Sequence, residues 1–180
     1  MRKAAVLALA FWADREEVTA AIPKLVELLE DGNEALDVRI AAATALGPIA
    51  RPDDAAAIEA LNKARGEADD KNRELVWAAV LSLAQLDRPE AEGGMLMLLS
   101  REELAKVTIY DQSTDWKNPV YRKLSEGEQQ RILINAMLGA RKLKLPSIHA
   151  KLKQIAEKDP SSRVRWQAAE ILKGNGVVEE

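Results

Sequence analysis

The stretch Val38 to Ala50, VRIAAATALGPIA, decides how this chain is read. It opens on Val38-Arg39, carries small residues at Ala41 to Ala43 and at Ala45, and closes its third turn on Leu46-Gly47. Set against the rest of the sequence, the pattern returns. Met1-Arg2-Lys3-Ala4-Ala5 matches Val38-Arg39-Ile40-Ala41-Ala42 at a shift of 37 residues, and 37 further on stands Leu75-Val76-Trp77-Ala78-Ala79. Gln130-Arg131-Ile132 follows after 55 residues and Val164-Arg165-Trp166 after another 34. Leu9, Leu46, Leu83, Leu138 and Leu172 fall at the leucine position. A period in the mid-thirties predicts stacked helical hairpins in place of one globular core.

Partner helices fill the intervals. Ile22, Leu25, Val26 and Leu29, spaced by three and four, predict an amphipathic helix over Glu16 to Glu30, with Asp14 and Glu17 as its capping box. A second runs from Asp53, read as its N-cap, to Ala68, with Ile58 and Leu61 on the apolar side. A third spans Pro89 to about Leu104, the proline suiting a first helical turn. A fourth covers Ser147 to Lys158.

IPKLVELLED at Ile22 to Asp31, with Pro23, followed by VRIAAATALG, resembles the HEAT-repeat family in its short bacterial form. That family pairs a leucine-rich first helix with a second that begins Val-Arg and continues Ala-Ala-x-Ala-Leu-Gly. The resemblance covers nearly the whole chain. It implies an all-α, right-handed α-solenoid of stacked helical hairpins: one orphan helix plus about four HEAT-like pairs within a single domain, residues 1–180. Two departures stand out. Val76 occupies a position where arginine is expected, and the third pair is split by an insertion, residues 105–124, that adds about 18 residues to the period. Because the sequence starts at a second helix without its partner, the expectation is a piece of a longer solenoid or an unusual cap. Such motifs specify architecture and say little about activity.

Composition narrows the function classes. Apolar residues make up 47% and charged residues 31%, as in ordinary globular chains. There is no cysteine, hence no disulfide framework, no cysteine zinc site and no thiol nucleophile. A net charge of -3 carries no nucleic-acid signature for the chain as a whole. No apolar run reaches membrane-spanning length. Met1 to Ala13 has the outline of a secretory signal, but it follows the repeat pattern and is read as a repeat helix. The single histidine, His149, has no second histidine or cysteine for a metal and no triad around it. The expectation is a non-enzyme with no cofactor and no metal. Gly93-Gly94 is read as a close-packing point within a helix.

Candidate functional residues follow from the helical step. With Val38, Ala42, Ala45, Leu46 and Ile49 buried, a 100° step places positions 40 and 44 on the opposite side. The resemblance implies that this side lines the concave face. Ile40, Trp77, Leu81, Ile132 and Trp166 stand there, large and apolar where polar residues are usual, and such a patch marks an interaction surface. The insertion holds Tyr110, Trp116 and Tyr121 and reads as a flap: a seal over the stack, or one wall of a groove. Ser125 and Glu128 are placed to cap the helix after it. From Gln129 to Ala156 there is no acid, while Arg131, Arg141, Lys142, Lys144, Lys151 and Lys153 are basic; the first four are the candidate patch for an anionic partner, or a merely solvated face. Arg2, Arg39, Arg131 and Arg165 read as structural, and the resemblance implies pairing with aspartates such as Asp31 and Asp159. The favoured expectation is a scaffold that buries a protein partner, peptide or helix on its concave face. A nucleic-acid binder of DNA-glycosylase type and a purely structural spacer are the alternatives. The spacer reading requires the concave apolar residues to be buried.

Overall fold

The computed structural model describes residues 2–67, 70–110 and 120–174, without the side chains of Asp70 and Tyr110. The described residues are all-helical apart from two short strands. They divide into two compact units, residues 1–95 with 139–145 and residues 96–138 with 146–180.

The first unit holds helices α1 (Arg2–Ala10), α2 (Ile22–Glu30), α3 (Leu36–Ile49), α4 (Ala55–Arg65) and α5 (Arg73–Gln85), and the start of α6 (Glu92–Leu98). α3 packs between α1 and α5, α2 packs on α3 and α4, and α4 packs on α5. Small residues make this closeness possible. Ala41, Ala42, Ala43 and Ala45 are essentially inaccessible, and a Cβ added to Gly47 would fall 2.6 Å from Gln85 Oε1 and 3.0 Å from Ser82 Cα. Ser82 Oγ, buried in the same contact, donates to the Ala43 carbonyl at 2.7 Å and so satisfies its polar group. Gly94 of α6 serves as the predicted close-packing point, since its Cβ would meet Val80 Cγ2 at 2.5 Å. Gly93 faces open space.

The second unit continues from α6 through α7 (Arg101–Lys106), the strands β1 (Thr108–Tyr110) and β2 (Tyr121–Lys123), α8 (Glu126–Gly139), α9 (Pro146–Lys158) and α10 (Ser162–Gly174). β1 and β2 pair antiparallel, Ile109 opposite Arg122, so the ends of the insertion form a hairpin. Lys123 Nζ donates to the Lys106 carbonyl at 2.6 Å and ties the hairpin back to α7. α9 and α10 pack on one another through Ile148, Leu152 and Ile155 against Val164, Ala168 and Ile171.

Several local expectations are corrected. Glu16–Ala21 is a 3-10 helix and the α-helical part begins at Ile22, with Pro23 in its first turn. Arg15, not Asp14, precedes that 3-10 helix and no side chain caps it, so the Asp14–Glu17 box does not form. Asp54, not Asp53, caps α4, accepting from the Ala57 amide at 3.3 Å. The helix expected over Pro89 to Leu104 is broken at Ser100, whose hydroxyl starts α7 by accepting from Glu103 N. Ser125 and Glu128 do cap α8 reciprocally: Glu128 Oε2 accepts from Ser125 N and Oγ, and Ser125 Oγ accepts from Glu128 N.

Candidate functional site

The register of α8 determines which of its side chains reach the surface. In α3 the covered positions include Ala42, Ala45 and Leu46, with Ile49 close behind; in α8 and just past its end they are Leu133, Ala136, Met137 and Ala140. The spacing is the same, but it places α8 one residue earlier than the match of Arg131 to Arg39. Leu138, expected at the buried leucine position, is 45% exposed, and Met137 fills the core instead. Gln130 therefore takes the arginine position of the repeat. Arg131 takes the outward position held by Ile40 in α3, and Asn135 the position of Thr44.

The other repeat arginines are structural, by different partners than expected. Arg39 Nε donates to the Leu29 carbonyl at 2.9 Å and its Nη2 pairs with Glu67, while Asp31 receives the Asn33 amide instead. Arg165 Nη1 donates to the main-chain carbonyls of Asp159 and Pro160 at 2.7 and 3.1 Å. The Asp159 carboxylate goes to Arg101, in a two-pronged pair at 2.7 and 2.9 Å. Arg2 pairs with Glu34 at 3.0 Å. Arg131 has neither hydrogen bond nor ion pair among the described residues, and neither has Arg163 on α10.

Those two arginines share an open cleft of about 340 Å³, lined by Gly127, Gln130, Arg131, Ile134 and Asn135 of α8 and by Arg163 of α10. The five α8 residues recur at intervals of three and one, which a 100° step gathers into a single stripe. On α10, Trp166 lies one turn beyond Arg163 on the same face and is 62% exposed. Gly127 and Arg163 both belong to first helical turns, where the helix dipoles add to the positive potential of the guanidinium groups. Of the nearby acids, Glu128 and Glu170 are already engaged, while Glu126 beside Gly127 is exposed and holds no hydrogen bond or ion pair among the described residues. Glu128 binds Arg122 through both oxygens at 2.7 and 2.8 Å, which with the Ser125 hydroxyl and amide holds its carboxyl well below the usual glutamate range. Glu170 pairs with Lys173 at 2.8 Å.

The remaining expected residues are distributed between the units. In the first, Ile40, Trp77 and Leu81 are half-buried, and Leu81 lies against the backbone of Gly139. In the second, Ile132 is half-buried while Trp166 and Tyr121 are exposed. Trp116 lies outside the described residues, as does the Tyr110 side chain. The basic patch is divided: Arg131 belongs to the second unit, and Arg141, Lys142 and Lys144, all exposed, to the first. An exposed aromatic pair not singled out from the sequence, Phe11 and Trp12, follows α1, with the Arg15 guanidinium 4.0 Å from the Trp12 ring centre.

Gly127, Gln130, Ile134, Asn135 and Arg163 were also missed from the sequence. The stripe spacing on α8 and the three-residue step from Arg163 to Trp166 are the signals that would have found them. His149 is half-buried on α9 with no hydrogen bond to its Nε2. Among the described residues no cluster of histidine and carboxylate side chains is arranged to hold a metal, and no helix is long and apolar enough to cross a membrane. The chain is thus an all-helical protein presenting a cationic cleft beside an exposed tryptophan. No family model, no curated protein and no solved structure matches it.

Proposed function

We propose that this chain is a HEAT-like α-solenoid whose second helices present a docking surface for a peptide or helix of a partner protein, with Trp166 as the anchor. The repeat reading is supported by equivalent buried positions in successive helices: Ala42 with Ala79, Leu46 with Leu83, Ile49 with Leu86, and Val38 with Val164. The observation that carries the function is Trp166 itself. An indole left 62% exposed on a packed helix forgoes about 1.5–3 kcal/mol of burial that a partner can supply. Tryptophan flanked by arginine is also the composition of interface hot spots. A pure spacer requires these outward apolar residues to be covered, and Trp166 is not.

The test is selection from a displayed library of random peptides on the intact protein, followed by counter-selection on Trp166→Ala. The reading expects enrichment of related sequences that lose binding to the variant. Enrichment of nothing, or of peptides indifferent to residue 166, removes Trp166 as an anchor and with it this reading.

A further inference from the structure

We infer that the cleft between α8 and α10 is a carboxylate-recognition site, and that the partner segment docking at Trp166 carries an acidic side chain, Asp or Glu, which Arg131 and Arg163 bind. The inference rests on the docking reading above and adds the chemistry of what docks. Three observations carry it. Arg131 and Arg163 are two guanidinium groups in one cleft with no partner among the described residues, whereas Arg2, Arg39, Arg101, Arg122 and Arg165 all hold carboxylates or carbonyls. Unlike those, they make no hydrogen bond or ion pair that ties one helix to another among the described residues.

The cleft also offers Gln130 and Asn135, whose amides donate to the same kind of oxygen and leave a bound carboxylate's remaining lone pairs satisfied. A planar carboxylate matches the guanidinium fork in two parallel hydrogen bonds, the arrangement in which arginine is most selective. Lastly, apolar side chains adjoin the two arginines along their helices. Ile134 lines the cleft and Trp166 stands one turn past Arg163, so a lone inorganic anion would leave this area bare. An acidic residue followed by an apolar one in a peptide covers both. Duplex nucleic acid needs a longer cationic track, and of the basic run read from the sequence only Arg131, Lys151 and Lys153 belong to this unit, in a chain of net charge -3.

The experiment is fluorescence anisotropy with a labelled peptide alternating Glu and Leu, and its Gln–Leu counterpart, against the intact protein and against Arg131→Gln, Arg163→Gln and Lys158→Gln. The Glu peptide is expected to bind, to weaken about tenfold for either arginine variant, and to be unaffected by Lys158→Gln; tenfold corresponds to ~1.4 kcal/mol. Binding should also fall as salt is raised, since the cleft is open to solvent. Neither arginine variant should lower the melting temperature, which separates loss of recognition from loss of fold. Equal binding of the Gln peptide, or indifference to both arginine variants, overturns the carboxylate site while leaving Trp166 to be judged by the peptide selection. Failure of the Glu peptide to bind overturns it as well. So does displacement of the peptide by inorganic phosphate at matching concentration, which assigns the cleft to a free anion, and so does arginine-dependent binding of a duplex DNA oligonucleotide in its place.

Discussion

The pairing of Arg101 with Asp159 shows how single residues in this chain do structural work at a distance in sequence. The Asp159 side chain is only 4% exposed, and it accepts from Arg101 twice and from the Ser161 amide at 2.9 Å. Removing one partner of such a pair strands the other in a poor solvent for charge. Asp159→Asn is therefore expected to cost about 2–3 kcal/mol, less than a fully buried pair because Arg101 retains some solvent. Urea unfolding of the variant beside the parent measures it. Glu128 makes a pH-dependent contribution of known sign. Its carboxyl is held low by Arg122 first and Ser125 second, so the folded state binds its proton more weakly than the unfolded chain does. That contribution is present above the unfolded glutamate value of about 4.3 and is lost as pH falls from there toward the depressed folded value. Glu90 is shifted in the same direction by Arg88. Melting temperature should decline on acidification through this window, and Glu128→Gln should flatten the decline. An unchanged acid limb in that variant would show that the Arg122 contact contributes nothing to stability. Asp159 was legible in the sequence as a structural aspartate. Its partner was not, because Arg101 lies 58 residues away and no local pattern connects them.

At the scale of the element, the helices were legible through spacing and their ends were less so. Ile22, Leu25 and Leu29 are all buried on α2, as the three–four periodicity requires, yet the preceding turn is 3-10 and uncapped. Periodicity reports the buried face of a helix, whereas the start depends on which carbonyl and side chain compete for the first amides. The adjacent glycines of α6 separate packing from propensity. Gly94→Ala drives a methyl into Val80 and is expected to destabilise by about 1–3 kcal/mol, with Val80→Ala restoring part of the loss. Gly93→Ala meets open space and should stabilise by about 0.5–1 kcal/mol through helix propensity. Thermal unfolding of the two single variants should thus shift in opposite directions. Shifts of the same sign would contradict the close approach of α6 to α5. The α8 register illustrates the other limit of pattern reading. One residue of slip leaves the alanine-and-leucine motif looking intact while exchanging the core leucine for Met137 and turning Arg131 from a structural arginine into a cleft residue. Only burial distinguishes the two alignments, since both place plausible small residues inside.

At the scale of the whole molecule, helical content was foreseeable; the meeting of Arg131 and Arg163 in one cleft was not. Overall the protein is acidic, at -3, and its sequence shows a basic run whose members the fold assigns to two units. What concentrates positive potential is the convergence of Arg131 and Arg163 from helices that are distant in the chain, beside an indole that sequence reasoning did select. The measurement that tests this most directly uses the chain with Trp12, Trp77 and Trp116 changed to phenylalanine, so that Trp166 alone fluoresces. Its emission is quenched in parallel with iodide and with caesium at constant ionic strength. An open indole beside two unpaired guanidinium groups should be quenched strongly and preferentially by the anion, and the preference should collapse in Arg131→Gln with Arg163→Gln. Equal quenching by the two ions, or a Trp166 shielded from both, would contradict a cationic docking face on α10.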